Sequence, residues 1–216
     1  MSDFVVHGVP GSPFVRAAMM GFEEKGVGYR LQAMAPSESK SASHLQRHPF
    51  GRVPLLEHGD FWLYETQAIL RYLDALIPEP PLTPREPRAI ARMNQIIGID
   101  DWYFFPKVAR IIVFNRIVGP ALLGLVPDET AIAAAMPDAR TCVSELARLL
   151  GAQPYFAGDT VSIADLMLAA QFDFFAATPE GRGLVEGTVL VPWLTRMKER
   201  TSMQRTMPPA QFRAAA

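Results

Sequence analysis

Apolar residues recur along this chain with two periods, and the change from one to the other divides it. Up to about residue 76, short apolar runs alternate with amphipathic stretches, whereas beyond about residue 86 only helical spacing remains. Phe4, Val5 and Val6 form a short strand signal that ends at His7-Gly8-Val9-Pro10-Gly11-Ser12-Pro13. From Phe14, the apolar positions Val15, Ala18, Met19 and Phe22 have helical spacing, and Gly26 closes that helix. Tyr29 to Ala33 reads as a second strand, parallel to the first because a helix lies between them. Residues 36 to 49 carry Ser, Lys, Glu and His with little apolar periodicity and read as a weak helix or mobile loop. Val53 to Leu56 and Phe61 to Tyr64 are apolar runs of strand length separated by Glu57-His58-Gly59-Asp60, so two short antiparallel strands are expected. Ala68, Ile69, Leu70, Leu73 and Leu76 then mark a helix that starts at Glu65-Thr66.

Pro78, Pro80, Pro81, Pro84 and Pro87 crowd the next stretch and rule out a continuing helix. The expected division is therefore an α/β domain over residues 1–77, a linker at 78–85 and an all-helical domain over 86–216. In the second part, Ala89 to Val118 is long and mostly apolar, and Pro106 implies a kink. Helical spacing puts Trp102, Phe105 and Ala109 on one face. Residues 129 to 150 form an amphipathic helix ended by Gly151, Ile163 to Ala177 a buried one, and Pro192-Trp193-Leu194 through Arg200 a short last one.

Length and composition are compatible with two packed domains: 216 residues with 49% hydrophobic content can bury one sizeable core or two small ones. With 21 basic against 22 acidic residues, the chain offers no field attractive to nucleic acid or an acidic membrane, and neither partner is expected. Cys142 is the only cysteine, so no internal disulfide can form, which fits a reducing compartment. The first apolar run is too short for a signal segment or a membrane span, and a cytoplasmic location is expected.

The candidate chemistry collects around two turns. Pro54 sits where a strand should begin and has no N–H to give a ladder, which leaves the polar groups of Val53 for an extended peptide lying alongside. A helix N-terminus at Glu65-Thr66 follows, and such ends hold carboxylates. Ser12 precedes Pro13 at the start of the first helix, where a hydroxyl is an ordinary N-cap and also faces the positive end of the helix dipole. His7, apolar-flanked at the strand end, reads as a packed or hydrogen-bonded core residue. His44, His48 and His58 lie in polar loop sequence, and no metal site is expected. No internal repeat, Walker loop or dinucleotide glycine fingerprint occurs.

Taken alone, residues 48 to 70 could be an ordinary hairpin followed by a helix. The order Phe50-Gly51-Arg52-Val53-Pro54, then Glu65-Thr66-Gln67-Ala68-Ile69, however, closely resembles the glutathione-binding half of the cytosolic glutathione S-transferase family, and the resemblance extends over essentially the whole chain. It implies a thioredoxin-like α/β N-terminal domain joined to an all-α C-terminal domain. It also implies a site in which Val53 and a cis-Pro54 pair with the cysteinyl main chain of glutathione and Glu65-Thr66 hold its γ-glutamyl end. By position, Lys40, with help from Arg52, would face the glycine carboxylate. The family's tyrosine- and cysteine-type versions have no candidate at the first turn, since no tyrosine precedes Tyr29 and no cysteine precedes Cys142. Ser12 is then the residue that would donate to the glutathione sulfur, as in a bacterial-type member with a serine-type active site.

The resemblance further implies an electrophile pocket between the domains, with Pro10, Trp102 and Phe105 in its wall, and a homodimer in which Asp101 reaches the partner subunit's glutathione. Detoxifying conjugation of small, largely apolar electrophiles is the activity implied, with glutathione as co-substrate and no permanently bound cofactor. Glutathione-dependent isomerisation or peroxide reduction would use the same activated thiol, and a non-catalytic binding protein would keep the fold alone. Ser162-Ile163-Ala164-Asp165 resembles the Ser/Thr-x-x-Asp box of the family, a folding element. Ser162 can cap the helix while Asp165 reaches back to the cap N–H, so Asp165 reads as structural.

Overall fold

The computed structural model describes residues 4–213. Strands β1 (Phe4–Gly8), β2 (Arg30–Ala33), β3 (Leu55–His58) and β4 (Phe61–Tyr64) form one sheet in the order β2-β1-β3-β4. β1 and β2 run parallel, with α1 (Pro13–Lys25) as their crossover, while β3 is antiparallel to both β1 and β4. The hairpin turns later than the apolar runs suggest, because Pro54 cannot donate to a ladder and pairing starts at Leu55. Its loop is then only Gly59-Asp60, and Gly59 takes a φ of 62°, which a residue without a Cβ adopts at little cost. Between β2 and β3 the polar stretch forms a 3₁₀ turn (Pro36–Lys40) and one short helix, α2 (Ala42–Leu45).

α1 and α3 (Thr66–Leu76) pack on the sheet through Val15, Ala18, Phe22, Ile69 and Leu73, which meet Phe4, Val6 and Leu56 in one buried cluster. Ala17 and Met20 of α1 and Leu70 of α3 belong instead to the larger core of the helical part. The two parts therefore share apolar surface. They are also pinned by charge: buried Arg16 donates to Asp173 at 2.5 Å and to the carbonyl of Met203 at 3.1 Å. Arg200 donates through both Nε and Nη2 to Glu24.

The helical part opens with α4 (Pro87–Ile99) and continues without a break through a π-helical stretch (Asp100–Ala109), α5 (Arg110–Val113), a second π stretch (Phe114–Val118) and α6 (Gly119–Leu123). Pro106 lies inside the first π stretch, where widened turns absorb the hydrogen bond that its missing N–H cannot make. α7 (Glu129–Leu150) is capped by Asp128, whose carboxylate accepts from the N–H of Ala131, and ends at Gly151. α8 (Ile163–Phe175) runs through the middle with every residue but Asp173 buried. The shorter α9 (Pro179–Val185), α10 (Leu190–Lys198), α11 (Thr201–Arg205) and α12 (Ala210–Arg213) complete the described residues.

Asp165 is wholly buried at the start of α8. Its Oδ2 accepts from the N–H and hydroxyl of Ser162 at 2.9 and 2.7 Å, and its Oδ1 from the N–H of Phe156 at 3.0 Å and the indole of Trp193 at 2.9 Å. Burial pushes this carboxyl up, against four donors that favour the anion. The carboxylate thus ties the α8 cap to the preceding loop and to α10, a wider reach than a cap alone.

Candidate functional site

Register in the sheet brings three separate turns to one end. His7 faces Leu55 across β1 and β3, and Leu55 faces Tyr64 across β3 and β4. The turn after β1, the segment before β3 and the residues after β4 must therefore lie side by side, which assembles Ser12, Val53-Pro54 and Glu65-Thr66 from positions far apart in the chain. A direct contact joins two of them: the Thr66 hydroxyl donates to the carbonyl of Phe14, in the first turn of α1, at 3.5 Å.

Ser12 is the N-cap of α1. Its Oγ lies 3.5 Å from the N–H of Val15, long for a strong cap, and its own N–H donates to Val9 at 3.0 Å. The hydroxyl is half-buried and keeps its proton available to an acceptor at the helix N-terminus.

The Val53–Pro54 peptide is cis. Among the described residues, neither the N–H nor the C=O of Val53 has a main-chain partner, so both polar groups stand open at the sheet end. Arg52 just before it is exposed, and the Nζ of Lys40 approaches the carbonyl of Phe50 at 3.5 Å, so both cations border this segment. Beneath them, buried His44 bonds through Nε2 to the carbonyl of Arg52 at 2.8 Å. His48, 2% exposed, stacks on Tyr64 with ring centres 4.5 Å apart and on His44 at 5.7 Å. Burial, and then His44, Arg52 and Lys40, hold the His48 ring below its ordinary pKa, which keeps it neutral.

Glu65 begins α3 with φ 72° and ψ 117°, the one positive φ among the described non-glycine residues. Such a conformation costs on the order of 1–3 kcal/mol and tends to occur at functional sites. It leaves the Glu65 side chain exposed next to Asp101, while Thr66 is buried with its hydroxyl turned inward. Asp101 accepts from the amide of Gln67 in its own chain at 2.8 Å. Burial, and then the charge of Glu65, push its carboxyl up to about 6. A carboxyl raised in the folded state binds a proton there that the unfolded chain has already released, so stability falls as pH rises from about 4 to about 6. Asp101→Asn should therefore melt at a higher temperature than the parent at pH 7 and at nearly the same temperature near pH 4; thermal melts at the two pH values check this.

A cavity of about 170 Å³ opens directly beside Ser12, since Gly11 and Pro13 on either side of it line the wall. Opposite them stand Phe105, Ala109, Val113 and Phe114, with Phe174 and Gln171 contributed by α8. Gln171 donates its amide to Asp100 at 2.9 Å, and Asp100 is fully buried, with burial and then Asp101 raising its carboxyl well above the usual range. Phe212 of α12 lies against Gly11 and meets Phe174 edge to face at 6.3 Å, so the C-terminal segment closes the wall next to Ser12.

Of the three residues expected in the pocket, Phe105 lines the cavity, while Pro10 and Trp102 are not part of its wall. Trp102 is 74% exposed. The reading from spacing assumed an α-helix, but this stretch is π-helical, and its wider turn carries less rotation per residue. Four steps from Phe105 to Ala109 then nearly complete a turn, while three steps back to Trp102 fall well short of one. Sequence reasoning missed His44, Gln67, Gln171 and Phe212, because each acts through a contact with a residue distant in the chain. It also missed the backbone of Glu65, whose residue type gives no hint of a positive φ.

A larger open cleft, about 430 Å³, lies at the far end of α1 beside Glu24, Tyr155 and Arg200. Arg200 is engaged there by Glu24 and by the Tyr155 hydroxyl at 3.0 Å, and Ser202 also donates to Glu24. The cleft locks the two parts of the chain together, far from Ser12. Among the described residues, no cluster of three or more His, Cys, Asp or Glu is arranged to hold a metal, and no helix is long and apolar enough to cross a membrane.

Comparison with known proteins agrees with this geometry at both ends of the chain. Residues 6–81 match the family model of the glutathione S-transferase N-terminal domain, and residues 129–201 that of the C-terminal domain. Glutathione S-transferase F14 of Arabidopsis thaliana is 31% identical over 199 residues, which cover 88% of this chain and 78% of that one. The crystal structure of glutathione transferase F7 from Populus trichocarpa superposes with a TM-score of 0.84 at 23% identity, over 94% of this chain and 97% of that one. A glutathione S-transferase-I solved with lactoylglutathione bound superposes at 0.82 with 25% identity, over 94% and 97%. The thioredoxin-like sheet domain and the helical domain that follows it are thus those of a glutathione transferase, and the chain belongs to the glutathione S-transferase family.

Proposed function

We propose that this enzyme is a serine-type glutathione transferase that conjugates small, flat, apolar electrophiles. Glutathione lies along the open N–H and C=O of Val53, with its γ-glutamyl end at Glu65-Thr66 and its glycine carboxylate toward Lys40 and Arg52. The Ser12 hydroxyl donates to the sulfur and stabilises its anion, and the thiol proton leaves to solvent. The thiolate attacks an electrophilic carbon held in the cavity; a C–S bond forms and the leaving group departs with its electron pair. Asp101 faces the ammonium end of glutathione, its own or the partner subunit's.

The observation that carries this reading is that residues flanking Ser12 line an apolar cavity at the same sheet end as the unpaired main chain of Val53. The Arabidopsis and Populus relatives named above are plant proteins, so what supports a bacterial-type subclass is the resemblance read from the sequence. Phe50, Trp102 and Tyr103 are large apolar side chains left at the surface, which supports a homodimer that covers them. A cytoplasmic, detoxifying role follows from the same resemblance. On immobilised glutathione the protein should be retained, and it should turn over a model aryl halide. Retention without turnover would leave a binding protein, and failure of both would overturn the reading.

A further inference from the structure

His44 and His48 lie one helical turn apart at the end of α2, both buried, and neither belongs to the machinery described so far. His44 Nε2 is 2.8 Å from the carbonyl oxygen of Arg52. A carbonyl only accepts, so that ring nitrogen carries the hydrogen and the tautomer is fixed. On the other side, the His44 ring stacks on His48, and His48 on Tyr64, the last residue of β4 before Glu65. The rings thus join the two segments that would hold opposite parts of a tripeptide: residues 52–53, and the start of α3. The roles of the two histidines differ. His44 makes a directed bond to the main chain, whereas Nδ1 of His48 is buried without a partner among the described residues, so His48 contributes its face alone.

We propose that His44 is a positioning residue of the glutathione site, its N–H holding the Arg52 carbonyl so that the adjoining N–H and C=O of Val53 point toward the tripeptide. The proposal rests on the glutathione reading above. Without the bond, residues 50–53 keep few anchors of their own, because Pro54 donates nothing and Arg52 is exposed. Glutathione would then have to order that segment as it binds, and part of its binding energy would be spent there. Once the tripeptide is bound, the sulfur and Ser12 sit as before, so the chemical step is unaffected.

The test compares His44→Phe, which keeps a ring to stack but loses the donor, with His44→Gln, which keeps an amide N–H within reach of the carbonyl. Steady-state kinetics with glutathione and a model aryl halide should show the glutathione KM raised at least fivefold in His44→Phe, with kcat at saturating glutathione within about twofold of the parent. His44→Gln should recover most of the loss, and His48→Phe, which removes two ring nitrogens with no hydrogen bond to another described residue and keeps a ring to stack, should behave like the parent. A glutathione KM unchanged in His44→Phe would overturn the proposal, as would an equal rise in His48→Phe. Should His44→Phe fail to fold, His44→Gln decides alone: a KM within twofold of the parent supports the role, and a fivefold rise contradicts it. A parent protein that neither binds nor turns over glutathione would remove the functional reading itself, which separates that failure from this one.

Discussion

Ser12→Ala is expected to lower turnover of a model aryl halide at least tenfold while the glutathione KM moves by less than about twofold. A free thiol titrates near ~8.5, so only about 3% of it is thiolate at pH 7. One hydroxyl donor and the positive end of α1 can lower that value by about one to two units, each worth about 1.4 kcal/mol. The hydroxyl touches only the sulfur in this scheme, whereas Val53, Glu65 and the cations hold the remainder of the tripeptide, so binding should survive the loss. Folding should survive it too: the Oγ to Val15 distance of 3.5 Å makes the cap weak, and Pro13 still starts the helix. Steady-state rates at saturating glutathione decide the matter, and an unchanged kcat would remove Ser12 from the mechanism.

Asp165→Ala should be the most destabilising single substitution in the helical part. Loss of a cap and its reciprocal bond would cost about 1–2 kcal/mol. Here the carboxylate is fully buried and satisfies four donors on three elements, including the Trp193 indole and the N–H of Phe156. Alanine leaves those donors buried and unpaired, which raises the expected cost to about 3–5 kcal/mol. Against a typical total of about 5–15 kcal/mol, that is enough to depress yield and denaturation midpoint severely. Whatever folds should retain activity per molecule, because Asp165 is not among the residues that line the cavity beside Ser12. Denaturant titration with an active-site count checks both halves of the prediction; a fully stable, inactive variant would contradict it.

Much of the architecture could be read from period alone. Short apolar runs marked the strands of the sheet, and the apolar run after Ser162 marked a helix with every residue but Asp173 buried. Local signals of this kind depend only on neighbours in the chain. Where the outcome turned on distant partners, the same reasoning fell short. Nothing near Trp102 announces a π-helical stretch that swings it into solvent while Phe105 and Ala109 stay inside. Nothing in residue type sets the φ of Glu65, which follows from the short path between β4 and α3. His44 reads as loop sequence until Arg52 is seen above it. The proposed site at Ser12, Val53 and Glu65 rests on the order of motifs, and the register of the sheet brings their three turns to one end.

The central claim is that bound glutathione is held as its thiolate by the hydroxyl of Ser12. Titrating the ultraviolet thiolate absorbance of enzyme-bound glutathione against pH measures it directly. The account predicts a midpoint about one to two units below the free value of ~8.5 in the parent, returning most of the way in Ser12→Ala. A midpoint at the free value, or one that Ser12→Ala leaves in place, would contradict it.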